Sequence, residues 1–435
     1  MKYKYYYYEK KQISAQFSSL CSWLVYETVD QYLSYGSIVY GCLLDCTKAF
    51  DTVEHSRLFD KLLEVKVPKI IIRMLIFIYR KQTANVRWKQ QVSEQFGIKN
   101  GVRQGAVISP IFFNFYMNSL FAILKKNKSG CFISNYYAGC VGYADDLLFL
   151  SPSRSGLQEM LDLAQKYVHE HQISFSTDPE PSKSKTKGII FTRSNLRFKP
   201  APLILNGDEL PWITSAKYLG NTVTNVLDGF TKDCTEKRAM YIERNCEISQ
   251  EFYHAHPEVK CRINKIYNSS FPGSILWDFT SEKFSQFVNS WSVSVRHMWD
   301  LPYATHKYFM EPLGGQHALS MIITRYVKFI QSLKKSPKMA VQFLVEKVLR
   351  NCNTLTGQNV RFVLDKTGTE DIFKVNVTKV KNDLEFCETK QEDEWRLNFV
   401  KEIVNIKNNI LNLDQNENNL TTEELEEILE YICTS

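Results

Sequence analysis

Three aspartates sit where carboxylates are costly. In "GYADDLLFL", residues 142–150, Asp145 and Asp146 lie between Tyr143 and an apolar run, and in "VYGCLLDCTKAFD", residues 39–51, Asp45 ends another such run. An ionised carboxylate in apolar surroundings costs several kcal/mol, by order of magnitude, unless something cationic meets it. A hard divalent cation such as Mg²⁺ answers that need, because it takes carboxylate and phosphate oxygens together. Two such ions about 4 Å apart activate an attacking hydroxyl and stabilise a leaving pyrophosphate in an in-line displacement. Taken singly, Asp45 reads as the cap of a helix starting near Thr47, and Asp145–Asp146 as a turn. On two strand ends 100 residues apart, they read together as one site, provided the strands are neighbours in a sheet.

The surrounding elements must supply that sheet. "SIVYGCLLDCTKAF" is β-branched and apolar, and "DTVEHSRLFDKLLEV" has helical periodicity through Leu58, Leu62 and Leu63. Pro68 opens a second helix, "PKIIIRMLIFIYRKQ", and "ANVRWKQQVSEQFGI" predicts a β-hairpin around Lys89–Gln91. An apolar helix follows Pro110 ("SPIFFNFYMNSLFAILKK"), and "SGLQEMLDLAQKYVHEH" is an amphipathic one. Residues 226–340 are mostly helical in pattern, with aromatic and basic residues interleaved; beyond 341 the chain stays helical and then turns Asn- and Glu-rich. There is no internal repeat.

At 435 residues the chain has room for two or three domains, and 44% hydrophobic with 23% charged residues is an ordinary globular composition. No apolar run approaches the roughly 18 residues that span a bilayer; "KIIIRMLIFIYR" is short and broken by Arg73. The start, "MKYKYYYYEKK", has no apolar signal core, and the 11 cysteines form no CxxC pair. Both features predict an intracellular protein, cytoplasmic or nuclear and not secreted, with reduced thiols and no zinc site. Cys42 and Cys46 read as packing residues. The net charge of +7 is uneven: residues 383–435 carry 14 acidic and 4 basic residues, leaving +17 on the rest. Such a body suits a polyanionic partner. The acidic end, "TTEELEEILEYICTS", reads as a capped, solvated surface helix starting at Thr421 or Thr422.

The motifs, in their order and spacing, resemble the reverse transcriptase of non-LTR retrotransposons, LINE-like elements close to the CR1/jockey type. "LLDCTKAFDTV" is similar to motif A, "NGVRQGAVISPIFFNFYMNSL" to motif B and "GYADDLLFL" to motif C. "KSKTKGIIF" resembles motif D and "AKYLG" the primer grip, motif E; "VSVRHMWDLPYATHKYFMEPLGGQH" resembles the thumb and C-terminal region. The likeness runs from about residue 12 to 365. It implies an α+β right-hand polymerase with a ferredoxin-like palm, incomplete fingers, a helical thumb and a helical C-terminal region. The implied segments are a fingers remnant at 1–30, palm and fingers at 31–224, a thumb-like region at 225–340 and a C-terminal region at 341–435.

The resemblance also assigns roles. Asp45, Asp145 and Asp146 would be catalytic metal ligands, with the Cys46 carbonyl as an extra ligand, for two Mg²⁺ ions that Mn²⁺ could replace. Phe50 would be the steric gate against a 2′-hydroxyl. Gln104 and Gly105 would meet the incoming nucleotide and template. Lys185 would be the general acid for pyrophosphate, its competing reading being a solvated run of lysines. Tyr218, Leu219 and Gly220 would hold the primer end. Trp291, Trp299 and Tyr303 are candidates for duplex contact or for the core. The partners implied are an RNA template, a DNA primer or target, and dNTPs.

Two departures matter. Ahead of motif A only "AQFSSLCSWLVYETV" remains, without the family's fingers glycines, which implies an N-terminally truncated copy with no upstream endonuclease. Ala106 stands where many relatives carry Cys. The alternative is a catalytically inactive remnant that at most binds nucleic acid. A viral-type RNA polymerase is disfavoured by Phe50 and by Ala144.

Overall fold

The structure, a computed structural model, describes residues 13–380 apart from 104, 107, 144, 195–199, 306–308, 352 and 379, together with residues 398 and 401. The chain divides into two compact units, residues 1–227 and 228–435. The first opens with helix α1 (Ile13–Ser34) and strand β1 (Val39–Thr47). β1 is buried along most of its length, as a strand with neighbours on both sides must be, which is why it reads as a continuous apolar run.

Helices α2 (His55–Glu64) and α3 (Lys69–Arg80) follow. α2 turns Leu58 and Leu62 inward at the expected spacing while Leu63 stays exposed. Pro68 immediately precedes α3, which buries Ile72 and Tyr79 and leaves Ile70, Met74 and Phe77 exposed. Two nested hairpins come next. β2 (Thr83–Ala84) pairs with β5 (Phe96–Gly97), and between them β3 (Arg87–Trp88) pairs with β4 (Gln91–Val92), so the hairpin expected around Lys89–Gln91 is present.

α4 (Ser109–Asn127) carries Pro110 in its first turn, where a missing N–H leaves no hydrogen bond unmade. The short hairpin β6 (Phe132–Ile133) and β7 (Tyr136–Tyr137) leads to β8 (Cys140–Tyr143) and β9 (Asp146–Ser151). α5 (Arg154–Glu170) is capped by Ser153, whose hydroxyl accepts the Gly156 N–H. The unit ends with β10 (Ser174–Phe175), β11 (Lys187–Phe191), β12 (Leu203–Leu205), β13 (Asp208–Leu210), β14 (Trp212–Ile213), β15 (Ser215–Tyr218) and β16 (Asn221–Thr224).

The main sheet has the order β14-β11-β1-β9-β8, with β10 also on β1; only the β11–β14 pair is parallel. Read as β1–α4–β8–β9–α5–β11, it is the ferredoxin-like βαββαβ arrangement, and the α+β class is as expected. On one face Cys42, Leu44, Leu147 and Phe149 pack against side chains of α2, α4 and α5, including Leu58, Phe113, Leu120 and Leu161. The other face is not left bare: Val39, Leu148, Leu150 and Phe191 lie under Val25, Val29 and Leu33 of α1 and under Tyr218 of the β15–β16 hairpin. The stretch expected to be a fingers remnant is thus partly a cover for the sheet. Gly188 lets β14 approach closely, since a Cβ there would stand 2.6 Å from the Trp212 ring.

Among the described residues the second unit has no strand. Its helices are α6 (Thr231–Glu251), α7 (Pro257–Tyr267), α8 (Glu282–Trp299), α9 (Met310–Gly314), α10 (Ala318–Lys334), α11 (Met339–Arg350) and α12 (Leu355–Thr367). Trp277, Phe287, Trp299 and Tyr326 fill its core. Trp291 and Trp299 are therefore packing residues and not duplex contacts, whereas Tyr303 is 88% exposed. The acidic helix expected near the C-terminus lies outside the described residues. Among the described residues no helix is long and apolar enough to cross a membrane.

Candidate active site

β1 and β9 are adjacent and antiparallel, and their register makes Asp45 and Asp146 cross-strand partners. Cα atoms of such partners lie roughly 4.5–5.5 Å apart with side chains on one face. That face is the one α1 covers further along the strands, as alternation from Leu148 and Leu150 requires. Asp145 belongs to the two-residue connection between β8 and β9, because Tyr143 pairs directly with Asp146. The strands are neighbours, and the three carboxylates share one end of the sheet.

The main chain of Asp45 is held from a third segment. Its N–H donates to Thr186 Oγ1 at 3.3 Å and its carbonyl accepts from the Ser176 N–H at 2.8 Å. The Thr186 N–H in turn donates to the Ser176 carbonyl at 3.2 Å. Lys185, the residue before Thr186, brings its Nζ to 4.0 Å from Asp45 Oδ2 with the lysine side chain 73% exposed. So long and open an ion pair contributes about 0–1 kcal/mol and leaves most of the cluster's charge uncompensated.

The electrostatics follow from that crowding. The Asp146 pKa is raised above the usual carboxylate range by loss of hydration first, then by the Asp145 and Asp45 charges. The buried Cys46 thiol is pushed up to about 12, by burial first and then by Asp145, Asp45 and Asp146, so it stays protonated and unreactive. Among the described residues no three or more His, Cys, Asp or Glu side chains stand close enough together to hold a metal ion as they are placed. The donor set nevertheless fits a hard divalent cation: carboxylate oxygens on one sheet end, a raised Asp146 pKa, and a single weak lysine contact at Asp45. Like charges hold carboxylates apart until a cation joins them.

Phe50 lies half-buried in the turn after β1, its ring 5.3 Å from that of Phe113 on α4. Its carbonyl accepts the Val102 N–H at 2.7 Å, which ties the motif B loop to the motif A turn. Gly101 needs to be glycine twice over: its φ is +95°, and a Cβ would meet the Asp51 carbonyl at 3.0 Å. Gly105 is exposed with φ +81°, while Gln104 lies outside the described residues. Tyr218 is buried, and its hydroxyl, 3.5 Å from the Val141 carbonyl, has its pKa raised well above the ordinary value by burial. Any primer contact there would fall to Leu219 and Gly220, the two positive-φ residues that turn β15 into β16. Sequence reasoning missed Thr186 and Ser176, although Thr186 adjoins Lys185; what marks them is the packing of residues 174–187 on β1.

Residues 9–223 match the family model "Reverse transcriptase (RNA-dependent DNA polymerase)". The chain is 28% identical over 188 residues to the Retrovirus-related Pol polyprotein from type-1 retrotransposable element R2 of Nasonia vitripennis, covering 42% of this chain and 18% of that protein. It is 33% identical over 139 residues to the Pol polyprotein from type-2 retrotransposable element R2DM of Drosophila melanogaster, covering 32% of this chain and 13% of that one. The chain thus spans less than a fifth of the length of these relatives, which are R2 elements where the motifs suggest the CR1/jockey type. Among solved structures, telomerase from Candida albicans aligns with a TM-score of 0.33 at 11% identity, over 77% of this chain and 58% of that one. Residues 9–223, just under half of the chain, are thus similar to reverse transcriptases, and the curated relatives they resemble are Pol polyproteins of R2 retrotransposable elements.

Proposed function

We propose that the first unit is an RNA-directed DNA polymerase, transferring nucleotidyl groups from dNTPs to a primer 3′-hydroxyl on an RNA template. The observation that carries this reading is the cross-strand pairing of Asp45 with Asp146, with Asp145 in the adjoining turn and Lys185 4.0 Å from Asp45. Enzymes of this family use divalent metal ions; here we propose two Mg²⁺ held by Asp45, Asp145 and Asp146, with the Cys46 carbonyl as a further ligand. Such ions supply activation of the attacking hydroxyl and charge stabilisation of the leaving pyrophosphate.

The chain's own residues do the rest. The carboxylates concentrate negative charge on a face that stays open at the sheet's end. The Lys185 ammonium carries a proton that it would give to the departing pyrophosphate. The Phe50 ring, backed by Phe113, would fill the space of a 2′-hydroxyl and so select deoxynucleotides. Gly105, with Gln104, would let template and nucleotide approach the main chain. The +17 charge of residues 1–382 suits an RNA–DNA hybrid, with affinity that falls as salt rises.

Primer extension tests the proposal: purified protein, a homopolymer RNA template with annealed DNA primer, Mg²⁺ or Mn²⁺, and labelled dNTP. Template-dependent, EDTA-sensitive extension is expected. Hybrid binding without extension would instead favour the inactive remnant.

A further inference from the structure

We infer that His55 is a positioning residue that sets the motif B loop against the Phe50 turn, and thereby tunes nucleotide selection. The second clause rests on the polymerase reading; the first does not. His55 Nε2 lies 2.7 Å from the Gly101 carbonyl oxygen. A carbonyl has no proton to give, so Nε2 must carry the hydrogen and donate it. The contact is the third of three links between residues 50–55 and residues 101–102. The other two are main chain to main chain, Val102 N–H to the Phe50 carbonyl at 2.7 Å and Gly101 N–H to the Val53 carbonyl at 2.8 Å.

The side-chain link matters because of what it holds. Gly101 sits at φ +95°, and a glycine has no Cβ to restrict rotation of its peptide groups. The Gly101 carbonyl shares its peptide plane with the Val102 N–H, so the imidazole and the Phe50 carbonyl grip that plane from its two edges. The ring is itself fixed, edge to face against Tyr79 at 4.7 Å between centroids, and 6.3 Å from Phe59. Two residues on, the Arg103 carbonyl accepts the Ser109 hydroxyl at 2.6 Å. The loop is thus pinned on both sides of the buried Val102 before it reaches 104 and Gly105. Loss of the His55 anchor leaves the Gly101–Val102 peptide plane held on one edge only, by the Val102–Phe50 link, which then loosens more readily.

The experiment compares three variants with the parent. His55→Gln keeps a donor near the Nε2 position, His55→Phe keeps a ring against Tyr79 without a donor, and His55→Leu keeps neither. Each is read by KM for dNTP, kcat and dNTP/rNTP preference in primer extension, and by amide hydrogen exchange over 99–106. The Phe and Leu variants should raise KM about tenfold, the scale of one lost hydrogen bond, and lower the preference, while kcat moves far less. Exchange at Gly101 and Val102 should speed up in both, and the Gln variant should stay near the parent throughout. Parent-like exchange in the Phe and Leu variants would overturn the inference. So would a Gln variant as impaired as the Phe one, since ring packing would then be the role. If the parent itself does not extend primers, the polymerase reading fails, and the exchange measurement alone decides the role of His55.

Discussion

Replacing Asp45 with asparagine should make the metal-free protein more stable and, at the same time, deaf to divalent ions. Asp45 and Asp146 are register partners; at a separation of roughly 5 Å, two unit charges repel by about 3 kcal/mol at an effective dielectric of 20. The Asp45 side chain is 44% exposed, and screening brings that figure to about 1 kcal/mol or less. Losing the 4.0 Å contact with Lys185 takes back a few tenths of a kcal/mol, roughly. The net gain without metal is then about 0.5 kcal/mol. With a divalent ion at a hundred times its Kd, the parent should gain about 2.7 kcal/mol, and the Asn variant should lose most of that. The stability order therefore inverts on adding the ion, and extension activity should fall on the order of a thousandfold. The pH dependence has a definite sign. Asp146 is raised above 3.8 in the folded chain, so its stabilising contribution is complete below 3.8 and is lost as pH rises through the higher folded value. Metal-free parent should weaken across that window, and the Asn variant should weaken less, because one of the charges raising Asp146 is gone. Urea denaturation in EDTA and in millimolar Mg²⁺ or Mn²⁺, at several pH values, measures all of this. A variant that is destabilised by more than about 1 kcal/mol without metal, or that still gains stability from the ion, would refute the reasoning.

Phe50→Ala touches no carboxylate, so dNTP incorporation should largely survive while rNTP incorporation rises; an unchanged dNTP/rNTP ratio would make Phe50 a packing residue only. Phe113→Ala, at a fully buried position that backs the Phe50 ring, should cost about 3–5 kcal/mol in urea denaturation, and in any folded fraction should loosen dNTP selection as well. Lys89→Gly should raise Tm slightly. Lys89 sits at φ +55° in the exposed two-residue turn between Trp88 and Gln91, and glycine there removes up to about 1 kcal/mol of backbone strain.

Much of the site is written in local sequence. The apolar run ending in Asp45 reads as a buried strand, and Asp145–Asp146 as a turn carrying two carboxylates. The helices after Pro68 and Pro110 were equally legible, since a 3.6-residue period and a ring that tolerates only a first turn are properties of a few consecutive residues. Even the Asn206–Gly207 turn between β12 and β13 was there to be read, with both residues at positive φ, although the sequence reading passed over it. Other features were settled elsewhere. Nothing local puts Asp45 opposite Asp146, lays Lys185 beside Asp45, or turns the N–H of Asp45 toward Thr186, 141 positions further along the chain. Nor does periodicity separate Trp291 and Trp299, which are buried, from Tyr303, which is not. Periodicity states which side of an element is apolar, and composition states that something must cover it. Which partner covers it, and in what register, depends on the fit of surfaces far apart in the chain, and that energy exists only once the fold has formed.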